Sequence, residues 1–221
     1  NLEETLRSFY EHQNATYSVA WIDCLAKGNS FGQSILKLGE HVSENEVPRK
    51  ALLYPTKKNQ KVSLFFDTPS FLLNNFTVSL FNKLYFSFNK NKKTSFVDWD
   101  NYFFPLDAIG KWNKIYGKKG FFQFQCVLSN ESSADGYKRI LSIIQKKSSG
   151  SFLAVLKQFG SGNNNLSFPK AGFTLALDFK RTNQNILVAK ELIDIVNDLG
   201  GSIYLAKDAI MDAGQFYPQI E

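Results

Sequence analysis

The chain has 221 residues, 43% of them hydrophobic and 21% charged, with 26 basic against 20 acidic side chains and a net charge of +6. That length supports one large domain or two small ones and buries roughly 70% of the unfolded surface, so the core needs no covalent staples. Two cysteines far apart, Cys24 and Cys126, exclude a disulfide framework and fit a reducing compartment.

Residues 1–12, "NLEETLRSFYEH", form an amphipathic helix: Leu2, Leu6, Phe9 and Tyr10 share a face, and Glu3 and Glu4 favour the first turn. "TYSVAWID" (16–23) reads as a strand. Residues 28–69 mix a strand at 30–38 with polar loop, Pro48, Pro55 and lysines, and read as an excursion. Residues 76–80 and 84–88 are expected to be strands, followed by a turn at "NKNKKTS" (89–95).

The second half is more regular. Residues 120–128 alternate as a strand, with Phe122, Phe124, Cys126 and Leu128 on one face and Gln123, Gln125 and Val127 on the other. A helix follows at 132–147, with Tyr137, Ile140, Leu141 and Ile144 on one face, then strands at 151–159 and 173–179. A helix at 185–199 is closed by Gly200–Gly201, and residues 202–209 are the last expected strand. The order is β-α-β-β-α-β, so the fold class is α+β: an antiparallel sheet with helices on one face and a ferredoxin-like unit over about 120–208. The opposite face is expected to stand open to water.

The functional candidates lie on that opposite face. Lys157, Asp178 and Lys207 interrupt apolar strands, so each must be exposed, paired or functional. A salt bridge from Lys157 or Lys207 to Asp178 is the structural alternative. Only His12 and His41 are available for a histidine-based metal site or catalytic triad, and no motif surrounds either, so no metal is expected. GxGxxG, P-loop and HExxH patterns are absent. "KGFFQFQC" (119–126) has the look of the RNP1 motif of RNA-recognition domains. It stands on the first strand and not the third, and Gln123 occupies an aromatic position, so nucleic acid is not expected as a partner. Lysines cluster at 57–61, 90–93 and 111–119, which suits solvated loops or attraction to an anionic partner. No apolar run reaches the roughly 18–20 residues of a membrane span.

"FFPLDAIGKWNKIYGKKGFFQFQCVL" (103–128), with its PLD, WN, YG and glutamine-aromatic-glutamine pattern, resembles a signature segment of the decaprenylphosphoryl-ribose 2′-oxidases. These are FAD-linked oxidoreductases of the vanillyl-alcohol-oxidase superfamily, near the aldonolactone oxidases. "TYSVAWID", "SFLAVLKQFG" with "LSFP", "GFTLALDF" and "GGSIYLAKDA" match further segments in order. The resemblance implies that residues 1–209 form the substrate-binding cap and that 210–221 begin the return to an FAD domain lying outside this sequence. The chain, which starts without Met, is therefore expected to be a piece of a longer enzyme and inactive by itself. FAD is the implied cofactor, held mainly by that other domain.

The implied reaction is oxidation of a secondary alcohol on a sugar of the lipid-phosphate-linked ribose or arabinose type. A sugar-1,4-lactone oxidase and a non-enzymatic ferredoxin-like binding module are the alternatives. Carried over by resemblance, Lys207 is catalytic and, with Tyr204 and Gln125, near the cofactor. Gln123, Gln125, Lys157 and Trp21 match substrate-pocket residues. Phe103 stands where well-known members have Tyr, and Thr174 and Ala176 where they have Asn and Cys. The implied partners are the sugar substrate, the FAD domain, a partner reductase and, peripherally, a membrane; the expected location is the cytoplasm.

Overall fold

A computed structural model describes residues 1–47, 62–69, 71–91, 93–147, 150–151, 153–162 and 168–220. The lysine cluster at 57–61, Pro48, Pro55 and residues 163–167 of the 160–172 loop fall outside them.

In chain order the elements are α1 (Leu2–Glu11), β1 (Tyr17–Ile22), β2 (Ser34–Gly39), β3 (Val62–Ser63), α2 (Asn75–Asn89), α3 (Trp99–Phe103), β4 (Ile109–Gly110), β5 (Phe121–Ser129), α4 (Asn130–Lys147), β6 (Ala154–Phe159), β7 (Gly172–Lys180), α5 (Asn183–Asp198), β8 (Ser202–Ile203) and α6 (Ala213–Phe216). Six strands form one sheet in the order β2-β1-β6-β7-β5-β8, and every pairing in it is antiparallel. β3 and β4 make a separate parallel pair. The fold is α+β, with the predicted β-α-β-β-α-β order running from β5 to β8.

The core lies on one face of the sheet. Phe122, Phe124, Cys126 and Leu128 of β5 and Phe173, Leu175, Leu177 and Phe179 of β7 are almost fully buried. They pack with Tyr137, Ile140, Leu141 and Ile144 of α4 and with Val188, Leu192 and Val196 of α5. α1 joins them through Leu6 and Phe9, and its start is fixed by a capping box between Asn1 and Glu4. Gly200, at φ 62°, follows α5 in the left-handed conformation predicted for its C-cap. Both cysteines are free and buried. Burial pushes each thiol up to about 12, as expected of packed and not reactive groups.

Four expected strands differ. Residues 76–80 and 84–88 are not two strands but the single helix α2. Asn74 starts it by accepting from the Phe76 and Thr77 amides, with the Thr77 side chain returning to the Asn74 amide. This local capping outweighs the strand propensity of its Phe and Val residues. The strand expected at 30–38 is displaced to 34–39, because 28–30 form a 3-10 turn and Gly32 takes φ 64°. β8 ends after two residues. The Tyr204 amide still bonds Gln125 O at 2.8 Å, but the Lys207 and Asp208 amides turn back to Tyr204 O.

The second face of the sheet is also more covered than expected. α2 lies over its β1–β2 end: Asn82 Nδ2 donates to Asp23 Oδ1 at 2.6 Å, and Tyr85 packs on Trp21 with ring centres 4.7 Å apart. Asn82 and Asp23 are both buried, at 1% and 3% exposure. Losing one partner of such a bond costs about 1–3 kcal/mol. Asn82→Ala is therefore expected to lower the unfolding free energy by an amount in that range, read from a fall in the urea midpoint; an unchanged midpoint would mean that this bond does not hold α2.

Candidate functional site

β5, β7, β6 and β1 build the site by register. Gln125 pairs with Ala176, Ala176 with Val155, and Val155 with Trp21. These four residues form one row across four strands. One step along, Gln123 pairs with Asp178. One step the other way, Val127 pairs with Thr174 and Thr174 with Lys157. Side chains two apart in a strand share a face, so Gln123, Gln125, Thr174, Ala176, Lys157 and Trp21 lie together on the side away from the core. This is the face predicted to carry them.

The face is half-buried. Trp21 (9% exposed), Thr174 (1%) and Asp178 (2%) are buried, while Gln123, Gln125 and Ala176 are partly exposed and Lys157 is exposed. Gln123 Nε2 donates to Asp178 Oδ1 at 2.7 Å, and Gln125 Nε2 contacts Thr174 Oγ1 at 3.1 Å. An ionised carboxylate only accepts, so Asp178 fixes which end of the Gln123 amide turns toward it. The carbonyl oxygen of Gln123 then points away from the carboxylate.

Sequence reasoning marked Asp178 as an anomaly in "FTLALDF" but did not join it to Gln123 or Tyr116. Its amide donates to Ser151 Oγ at 2.9 Å, and Tyr116 OH lies 3.4 Å from its Oδ2. Burial raises the carboxyl to about 6, against the opposing pull of the Gln123 hydrogen bond, the Lys207 charge and the Tyr116 hydroxyl. Burial and then the Asp178 charge raise the Tyr116 phenol in turn. No ion pair to Lys157 or Lys207 forms, so the salt-bridge alternative gives way to hydrogen bonds from the uncharged Gln123 and Tyr116 side chains. Tyr116 belongs to a 3-10 turn, Trp112–Tyr116, that covers this end of the face. Its ring stacks on Phe121 at 4.6 Å.

Lys207 reaches the same face from the turn after β8. Its charge acts on both Asp178 and Lys157. Although Lys157 is exposed as a whole, partial desolvation by its surroundings, and second the Lys207 charge, lower its ammonium. Lys207 Nζ lies 6.0 Å from the centre of the Tyr204 ring, and that ring rests on Phe168 at 4.7 Å. Phe103 is not brought into this group. It sits in α3 against Tyr17, with ring centres 4.9 Å apart, and is 41% exposed. Two shallow clefts, of about 410 and 490 Å³, lie elsewhere, beside Lys118 and Arg181, and none of the predicted site residues lines them. Among the described residues no group of three or more His, Cys, Asp or Glu side chains could hold a metal. No helix among them is long and apolar enough to cross a membrane.

The assembled face is therefore a polar, mostly uncharged surface with one buried carboxylate beneath it and two lysines at its edge. No protein-family model matches the chain. Over 229 aligned residues the chain is 32% identical to decaprenylphosphoryl-beta-D-ribose oxidase of Mycolicibacterium smegmatis (strain ATCC 700084 / mc(2)155). What it resembles is an oxidase. The alignment takes in all of this chain and 50% of that protein, so the chain spans about half the length of the curated relative it matches. The similarity supports an oxidase-like oxidoreductase, and the α+β architecture is compatible with a cap-like domain.

Proposed function

We propose that this chain is the substrate-covering part of an FAD-dependent oxidoreductase that oxidises a secondary alcohol of a lipid-phosphate-linked sugar. The row from Gln125 through Ala176 and Val155 to Trp21 carries this reading. With Gln123 one step along β5, it offers neutral amides and an aromatic wall on a face whose second wall must come from something else. The likeness to a ribose oxidase supports the substrate class.

The residues present fit the ring end of a flavin. Gln125 offers amide donors and an acceptor, Lys207 a cation, and Tyr204 an aromatic flank resting on Phe168. These three would hold that end, while the phosphates would be held outside the described residues. When bound, FAD supplies the acceptor for the hydride from the carbinol carbon. Gln123 and Gln125 would accept hydrogen bonds from sugar hydroxyls through their carbonyl oxygens. Lys207 would donate to the alcohol oxygen as negative charge develops there, where a fixed cation is most effective. Lys157 would meet an anionic group of the substrate. Thr174 would hold Gln125 in position, Ala176 would leave room beside it, and Trp21 and, further out, Phe103 would form the wall.

The test uses the full-length protein, mixed without oxygen with polyprenyl-phosphoryl ribose or with an aldonolactone. Bleaching of the flavin band by the ribose lipid is expected. Gln123→Leu should weaken binding of that lipid about tenfold, the cost of one buried hydrogen bond. Bleaching only by the aldonolactone would replace this reading with a lactone oxidase, and a protein that binds no flavin would leave a binding module.

A further inference from the structure

We infer that α2 is a docking element for an anionic lipid surface, whether or not the oxidase reading holds. Its two faces have opposite characters. The inner face is fixed to the sheet. Val78 and Asn82 are 1% exposed, Asn82 bonds the buried Asp23, and Tyr85 packs on Trp21. These contacts stop the helix from rolling. The outer face carries Phe76, Leu80, Leu84 and Phe88, which are 76%, 49%, 50% and 74% exposed. Every fourth residue on a helix falls in one stripe, here about 18 Å long at 1.5 Å per residue.

An exposed apolar stripe of this regularity marks an interaction surface and not random surface hydrophobes. Its charge surroundings select the occupant. From residue 68 to residue 97 the sequence contains no Asp or Glu, but it carries Lys83, Lys90, Lys92 and Lys93. Exposed Phe71 and Phe96 flank the helix. A second copy docking through this stripe would bring lysine against lysine. An anionic headgroup layer instead neutralises the lysines, while the Phe and Leu side chains enter the acyl boundary. Because the same helix packs on Trp21, docking there would place the candidate site at the lipid surface.

The test is flotation of the full-length protein with vesicles of phosphatidylcholine alone or mixed with phosphatidylglycerol. Binding to the mixed vesicles is expected, weakening as salt is raised, with little binding to phosphatidylcholine alone. The triple variant Phe76→Ser, Leu84→Ser, Phe88→Ser should lose at least about tenfold in vesicle affinity. Its melting temperature should be preserved, because these side chains face outward. Absence of flotation with the mixed vesicles would overturn the inference, and so would flotation unchanged in the triple variant. If another part of a longer chain covers the stripe, flotation is absent. If a second copy covers it, light scattering shows a dimer that the triple variant dissociates. Either result overturns the lipid assignment.

Discussion

Replacing Asp178 with Asn is expected to stabilise the protein at neutral pH and to flatten its pH dependence between about 4 and 7. The folded protein holds this carboxyl near 6, against about 3.9 in an unfolded chain. A group whose pKa is raised by folding contributes stability that is fully present below the unfolded value and is lost as pH rises through the folded one. Two units correspond to roughly 3 kcal/mol, spent on ionising a side chain that is 2% exposed. Asn keeps an acceptor for Gln123 Nε2 and carries no charge, so the variant escapes that loss. Other carboxylates move the opposite way. Glu40 is held low by the Thr16 hydroxyl and amide, and Asp212 by Lys190. The quantity to measure is therefore the difference in unfolding free energy between variant and wild type, by urea titration at several pH values. It should grow in favour of the variant as pH rises from 4 to 7. A constant difference, or a less stable variant at pH 7, would rule out a strained carboxylate here. The same substitution loosens the orientation of Gln123, so a functional cost should accompany the gain, as at sites where stability is traded for activity.

Lys207→Met is expected to reduce turnover of the full-length protein by about 10²–10³-fold, the usual cost of removing one group that stabilises developing charge. The fold should survive, because Lys207 is partly exposed and makes no ion pair among the described residues. A second readout separates this role from a structural one. The Lys207 charge holds Asp178 below where burial alone would put it. In the variant the Asp178 titration should therefore move to higher pH, carrying the associated stability change with it. Lys157 should become easier to protonate as a neighbouring charge disappears. Unchanged turnover would remove Lys207 from the chemistry; an unmoved Asp178 titration would place its ammonium away from the carboxylate.

β5, α4, β7 and α5 were legible in the sequence because each has a strong single period and buries one face almost completely. The same alternation placed Gln123 and Gln125, and the register then brought Thr174, Ala176, Lys157 and Trp21 beside them. The α2 segment reads as two strands because its Phe, Val and Tyr residues favour strands and residues 81–83 separate two short apolar runs. The four-residue spacing of Phe76, Leu80, Leu84 and Phe88 and the Asn74–Thr77 cap were the helical signals in that stretch. Residues 202–209 were read too long because Ile203 and Leu205 continue the alternation, whereas the amides of 207 and 208 find local partners. Tyr116 was invisible as a partner of Asp178 because 62 residues separate them. No local pattern encodes a contact across that distance.

The two buried thiols have a use unrelated to catalysis. With each held up to about 12, almost no thiolate is present in the native state at neutral pH, and an alkylating reagent must wait for the surrounding structure to open. Cys126 sits on β5, between β7 and the edge strand β8, and Cys24 lies just beyond β1, with its Sγ accepting from the Ser151 amide. Labelling at the two positions thus times two separate openings, one at the β5–β8 end of the sheet and one at the β2–β1 end. The protein carries a pair of internal clocks that require no added probe.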